Sequence, residues 1–454
     1  MQDLPYPNSW NILFGNLLQL RDERIDFLMK NRNELGDIYQ IKVPTRKVMV
    51  LSDPDWVKYV LVDNNKNYIK SFAYDSIKMF LGNGLLTSEG EFWKRQRRLA
   101  QPAFHKEKLA LMFKNMLEQT RQVVDEMKPY AASGQLFNLN KVLYKLTLNV
   151  VNNTLFYNEV DNTTDRIYHL VSKASEIISQ RIDSLVQLPE WIPTQRNLRQ
   201  KQIIAEMDAL FYDVIERRRK TKVDFEDLLS MLMDAVDKET GETMSNKQLR
   251  DEILTIFVAG HETTQIALAW TFYLLGQNPE KKAILQREID EQLKGELPTP
   301  ENIKGLHYLK KVIDESMRCF PPAWIMGRRN LATDHINGYE IEPGTNIIMP
   351  IYVIHHREDI WEKPFEFIPE RFEATALKEK HKYAYFPFGG GPRLCIGNNF
   401  ALQEMQIVLI LFMQHFDFQI DEQFIPDMEA LVTLRQKNAL YAKIRNKEEV
   451  KINK

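Results

Sequence analysis

The chain has 454 residues, with 60 Lys+Arg against 62 Asp+Glu and a formal net charge of -2, so its overall balance offers no cationic footprint for nucleic acid. Two cysteines, Cys319 and Cys395, are the whole thiol inventory; this excludes a disulfide scaffold and a four-cysteine zinc site, and suits a reducing compartment, so a cytoplasmic location is expected. No Gly/Ser/Pro-rich linker, low-complexity tract or repeat divides the sequence, which reads as one large domain.

Taken in chain order, the start Met1-Gln2-Asp3-Leu4-Pro5-Tyr6-Pro7 shows no basic segment followed by an apolar one, and no transmembrane anchor is expected. Alternation over Ile38–Val43 and Lys47–Leu51, about a polar Pro44-Thr45-Arg46 turn, predicts a β-hairpin. Asp53-Pro54 then caps a helix beginning near Trp56. Tyr68 to Ser88 is irregular, contains Gly82 and Gly84, and reads as a loop in which Lys70 is an exposed lysine. The run Trp93-Lys94-Arg95-Gln96-Arg97-Arg98 opens the next helix; Trp93 and Arg97, four apart, put an indole N–H and a guanidinium on one face. Helical periodicities from Glu107 to about Lys220 are broken at Leu188-Pro189-Glu190-Trp191-Ile192-Pro193. Such amphipathic faces are core more often than binding surface, and no residue there is singled out.

A long apolar helix is expected from Asn246 to Gln277, capped by Ser245 or Asn246. Its middle, Phe257-Val258-Ala259-Gly260-His261-Glu262-Thr263-Thr264, sets polar groups into a helix too hydrophobic to be exposed. An uncompensated buried carboxylate costs several kcal/mol, so Glu262 is paired, hydrated or functional. Thr264 reads as a hydroxyl bonded back to its own helix and His261 as a satisfied buried histidine. In the helix Leu306 to Cys319, Glu315 and Arg318 share a face, with a second arginine following in Pro369-Glu370-Arg371-Phe372. Cys319 reads as an inert core thiol. Pro321-Pro322 ends that pattern, and the chain runs extended through Arg328.

The run Phe388-Gly389-Gly390-Gly391-Pro392-Arg393-Leu394-Cys395-Ile396-Gly397 leads into an apolar helical pattern from Asn398 to Phe416. Cys395 therefore sits just before a helix N-terminus, where unpaired N–H groups and the positive dipole end favour a thiolate. The glycines let a flat cofactor approach the main chain with no Cβ in the way, and Arg393 supplies a cation for an acidic group on it.

This run matches F-x-x-G-x-R-x-C-x-G at every fixed position, and so resembles the signature of cytochrome P-450, the haem-thiolate monooxygenases. The resemblance implies a mainly α fold with a small β region, about 35–55 and 320–350, in one domain over 1–454 with no fused reductase, as a monomer. It implies haem b with Cys395 as the axial ligand to iron, surrounded by Phe388, Gly389, Arg393 and Gly397. Trp93 and Arg97 match the family's W-x-x-x-R, and with Arg328 they are implied propionate ligands. Lys94, Arg95 and Arg98 remain a solvated basic face for docking an acidic partner.

Ala259-Gly260-His261-Glu262-Thr263-Thr264 matches [AG]-G-x-[DE]-T-[TS], which implies Glu262 and Thr263 as the acid and alcohol that deliver protons. Gly260, costing about 1 kcal/mol against Ala in a helix interior, points to close approach of the haem or a local distortion. Ala259 stands where a branch of animal fatty-acid hydroxylases carries the Glu that esterifies haem, which argues against a covalent link. Glu315, Arg318 and Arg371 resemble the E-x-x-R/PERF triad, with the structural job of fixing the cysteine loop. Phe72, Tyr74, Ile77, Phe80, Ala259, Trp324, Ile325 and Met326 are candidate substrate walls, with a last loop at Ala430 to Leu434. The implied activity inserts one atom of O2 into a C–H bond of a small organic substrate, with electrons from NAD(P)H through a reductase and a ferredoxin or flavodoxin. O-demethylation of a methoxylated compound or methyl sugar, a peroxygenase or isomerase, and a haem sensor stand as alternatives.

Overall fold

A computed structural model describes residues 4–8, 13–44, 46–156, 164–184, 189, 191–221 and 227–447. The chain is mainly helical with small sheets, the expected class. Helices α1 (Leu17–Glu23) and α2 (Ile25–Leu35) meet at Arg24 and lead into strands β1 (Ile38–Val43) and β2 (Arg46–Leu51). These pair as an antiparallel hairpin with Val43 opposite Arg46, so β2 starts one residue earlier than the alternation suggested. Helix α3 (Pro54–Lys58) likewise starts before Trp56: the Asp53 carboxylate accepts from the N–H groups of Asp55 and Trp56 at 2.9 and 3.1 Å, and proline suits the first helical position.

Residues 68–88 are not a plain loop. They hold β3 (Tyr68–Lys70) and α4 (Ala73–Leu81), where Ile77, Phe80 and Leu81 bury one face at helical spacing. Gly82, at φ 72, ends that helix, so the glycines that suggested a loop mark only its stop.

Then come α5 (Gly90–Ala100), which begins three residues before Trp93, α6 (Lys106–Ser133), the short β4 (Phe137–Asn138), α7 (Leu139–Phe156), α8 (Thr164–Ile182) and α9 (Gln195–Lys220). Leu188 and Glu190 of the expected break lie outside the described residues. After α10 (Leu228–Asp234), α11 (Asn246–Gln277) has the expected limits: Ser245 caps it in a reciprocal pair with Gln248. The chain continues through α12 (Pro279–Leu293), α13 (His307–Cys319), β5 (Met326–Asn330), β6 (Asp334–Ile336), β7 (Tyr339–Ile341), β8 (Asn346–Met349), α14 (Ile351–His355) and α15 (Ala374–Lys378). It ends with α16 (Asn398–His415), β9 (Phe416–Ile420), β10 (Met428–Ala430), β11 (Leu434–Gln436) and β12 (Tyr441–Asn446).

The largest sheet has the order β1-β2-β8-β5-β3, with only β2 and β8 parallel. Helix α11 is the axis of the helical layer, packing against α7, α9, α13 and α16, with Trp270, Phe272 and Leu268 fully buried. Among the described residues, no helix is long and apolar enough to cross a membrane.

Candidate active site

A mostly apolar cavity of about 550 Å³ is bordered by α11, the loop into α16, α5, the large sheet, α8 and the turn at 431–433. That is the size of a small-molecule site.

Cys395 lies two residues before Gly397, the N-cap of α16, and its N–H donates to the Phe388 carbonyl at 3.1 Å. The thiol is exposed, and the space it faces is this cavity. Enclosure raises its pKa; the Gly397 N–H and Arg97 pull the other way and burial prevails. A metal bound to the sulfur would displace its proton. A Cβ on Gly389 would lie 2.8 Å from Met326 Cε, and one on Gly391 would clash with the Leu61 carbonyl oxygen, both at positive φ. Both shape the turn and pack the loop against protein; Gly389 and Gly397, the latter meeting nothing nearer than Phe104 at 4.0 Å, border the cavity.

Several cations border the same space, among them Arg97, Arg328 and Lys70. Arg97 donates to the Leu394 carbonyl at 2.9 Å, and buried Arg328 to its neighbouring Gly327 carbonyl at 2.9 Å. Lys70, expected to be exposed, is enclosed: its Nζ lies 4.4 Å from the Tyr74 ring centre, and burial, then Arg328 and Arg393, hold its pKa well below the ordinary lysine value. Among the described residues none of the three has a carboxylate partner within ion-pair distance. Arg393 differs, because it pairs with Glu89, donates to the Ser88 carbonyl at 2.7 Å and stacks 3.9 Å over the Trp93 ring. Burial brings it down to about 10. It too borders the cavity, with Glu89 as its ion-pair partner.

Uncompensated enclosed cations are costly, and a bound diacid would relieve them. A thiol on one wall and carboxylate-free cations at the edge of an apolar void therefore fit the haem that the resemblance implies. In the basic run beyond, Lys94 pairs with Glu91 at 2.6 Å, Arg95 with Glu242 at 3.0 Å, and Arg98 with Asp237 and Glu239 at 3.1 and 2.8 Å.

From α11, Ala259, Gly260, Glu262, Thr263 and Thr264 border the cavity. Glu262 Oε1 accepts from the Thr433 hydroxyl at 3.0 Å, and burial raises its pKa against the opposing pull of Thr433 and Arg435. Thr263 donates to the Ala259 carbonyl at 2.7 Å and Thr264 to that of Gly260 at 2.9 Å. Glu262 is thus tied to Thr433, not to Thr263. A Cβ on Gly260 would sit 3.2 Å from Val151 Cγ2, so the glycine serves close packing of α7 on α11, and α11 stays helical throughout. His261 is satisfied, with Nδ1 2.7 Å from the Phe257 carbonyl and Nε2 3.2 Å from the Tyr144 hydroxyl; burial lowers it to about 4.

Phe72, Tyr74, Ile77, Phe80, Trp324, Ile325, Met326 and Phe388 all border the cavity, as do Leu431 to Thr433. Trp324 is fixed by its indole N–H on the Leu431 carbonyl at 2.9 Å. Sequence reasoning missed Thr433 as the partner of Glu262, Arg46 stacked 4.0 Å from the Phe72 ring, and Ala174, Ser175 and Ile178 on α8. Periodicity told that α8 buries a face, but not against what.

The triad assembles, with Glu315 and Arg318 fully buried. Arg318 grips Glu315 at 2.7 and 2.9 Å, and Arg371 reaches it at 3.2 Å. Arg318 also donates to the carbonyls of His355, Pro364 and Glu366, so the triad clamps the 355–371 stretch to α13 and does not touch the cysteine loop directly. Cys319 is buried, its thiol pushed up to about 12.

The family model described as Cytochrome P450 matches residues 5–442. Cyclooctat-9-en-7-ol 5-monooxygenase of Streptomyces melanosporofaciens is 32% identical over 398 residues, 87% of this chain and 85% of that protein. Cyclooctatin synthase of the same organism is 32% identical over 406 residues, 87% and 86% of the two chains. The chloroplastic carotene epsilon-monooxygenase of Arabidopsis thaliana is 31% identical over 442 residues, 92% and 81%.

Proposed function

This chain belongs to the cytochrome P450 family, and is thereby a haem-iron monooxygenase that uses O2; from that premise we propose that it hydroxylates a bulky apolar substrate in the cavity, with Cys395 as the iron ligand. One observation carries the assignment of Cys395: its thiol faces an apolar void whose edge holds Arg97, Arg328 and Lys70 without carboxylate partners. Cyclooctat-9-en-7-ol and carotene, in the names of two relatives, support an apolar substrate class.

Haem iron, when bound, activates dioxygen for insertion of one oxygen atom into a C–H bond. The chain's own residues set the conditions. Arg97 and Arg328, with Trp93, hold the cofactor's acidic edge. Apolar walls from α4, α8 and the Trp324–Met326 segment exclude water and orient the substrate. Glu262, kept protonated to higher pH than a free glutamic acid, holds a proton at its carboxyl for delivery to the cavity beside Thr263.

Electrons come from NAD(P)H through a reductase and a ferredoxin or flavodoxin in the cytoplasm. The family match accounts for residues 5–442 as the haem domain, and a redox carrier supplies its electrons. The test is optical. Haem-reconstituted protein is reduced under carbon monoxide, and Cys395→Ser should lose the red-shifted Soret band of sulfur-ligated iron while Cys319→Ser keeps it. The reverse pattern would overturn the assignment. Shifts in ferric spin state on adding apolar polycyclic or isoprenoid compounds then rank substrates.

A further inference from the structure

The charged triad and the cysteine loop do not touch, yet one side chain joins them. His355 ends α14 and is completely buried. Its carbonyl accepts from Arg318 Nη1 at 2.8 Å, the guanidinium that grips Glu315. Its ring Nε2 accepts from the backbone N–H of Phe386 at 3.1 Å. Phe386 is itself buried, and its carbonyl receives the Gly389 N–H at 2.9 Å, closing the turn that opens the loop. Two residues on, the Phe388 carbonyl receives the N–H of Cys395 at 3.1 Å. Flanking this path, Tyr385 donates to Asp314, the neighbour of Glu315, at 3.0 Å, and the Tyr385 and Phe386 rings lie 5.3 and 5.8 Å from the imidazole.

An imidazole nitrogen that accepts an N–H carries no proton, so the proton of His355 is on Nδ1. Burial enforces this neutral state by holding the pKa well below the ordinary histidine value. No donor-only side chain, and no aliphatic one, would satisfy Phe386. A buried backbone N–H must otherwise go unpaired in the stretch that fixes the sulfur's position.

We propose that His355 is a positioning residue for the thiolate, transmitting the clamp of Glu315, Arg318 and Arg371 to the cysteine loop through its bond to Phe386. The inference rests on the reading that Cys395 ligates haem iron. It also gives the triad the reach that its own contacts lack.

The test compares haem-loaded wild type, His355→Leu and His355→Gln, with folding checked by far-ultraviolet circular dichroism and thermal melting. Glutamine places an acceptor oxygen near the site of Nε2; leucine places none. In the reduced carbon monoxide adduct, His355→Leu should lose the sulfur-ligated band at least about tenfold faster than wild type, the factor expected of one stranded buried donor. His355→Gln should recover most of the wild-type lifetime. If His355→Leu is as long-lived as wild type, or if both variants fall equally while melting as wild type does, the positioning role is wrong. If His355→Leu does not fold, the glutamine variant decides alone: a wild-type lifetime supports the role and a collapsed one rejects it. Absence of the sulfur-ligated band from wild type itself would instead sink the ligation of Cys395.

Discussion

At the scale of single residues, the informative pair is Glu262 and Thr433, joined at 3.0 Å across the cavity wall. Enclosure raises the Glu262 pKa, so its carboxyl keeps a proton to higher pH than in the unfolded chain. If that proton is delivered in the reaction, product formed per electron falls as pH rises through the raised value. The Thr433 hydroxyl donates to the carboxylate and opposes the rise, favouring the charged form. Thr433→Val therefore pushes the pKa further up, and the alkaline fall of the pH profile moves to higher pH, whereas Glu262→Gln loses the fall and about a hundredfold of the product rate. Product against electron use, measured across pH in the three proteins, checks this; an alkaline limb unmoved by Thr433→Val would detach Thr433 from the relay. Glu262 was legible from its place in an apolar helix, but its partner was not, because 171 residues separate the two and a threonine in a late turn carries no signal of its own.

At the scale of elements, α11 was readable to the residue, since a capping box at Ser245 and Gln248 and a long apolar run leave few alternatives. Helix α4 was not: nine residues ending at a glycine look like a loop until Ile77, Phe80 and Leu81 find a core to face. The role of α8 was hidden for a different reason, since it depends on what lies opposite. Just beyond its end, Asp183 meets Arg24, the residue joining α1 to α2, in an ion pair of 2.6 Å, and both border the cavity. Each side chain is about one-fifth exposed, enough to weaken the pair without cancelling it. The pair ties a helix over the cavity to the N-terminal edge of its wall. Asp183→Asn is expected to speed ligand entry roughly fivefold, the worth of one partly screened pair, with little change in the final spectrum. Stopped-flow spin-state changes measure it, and raising the salt should speed the wild type towards the variant. Equal entry rates in the two proteins at low salt would mean that entry takes another route.

For the whole molecule, the balance of 60 basic and 62 acidic side chains says nothing of where charge is left unpaired. A run such as Trp93 to Arg98 looks like a cationic face because a sequence shows neighbours along the chain and not across it. Folded, three of its four cations meet four carboxylates, from Glu91 three residues away to Asp237, Glu239 and Glu242 some 140 residues on. These pairs lower the net charge of the patch, while Arg97, Arg328 and Lys70, which have no carboxylate within ion-pair distance among the described residues, border the cavity. Long-range steering depends on net local charge, which these pairs reduce. The triple variant Lys94→Gln, Arg95→Gln, Arg98→Gln should therefore be reduced by its partner within about twofold of the wild-type rate, and the dependence of that rate on ionic strength should keep its slope. A drop of about tenfold or more, with a flattened salt dependence, would show that these side chains leave their carboxylates to meet the partner, and would return the docking site to this face.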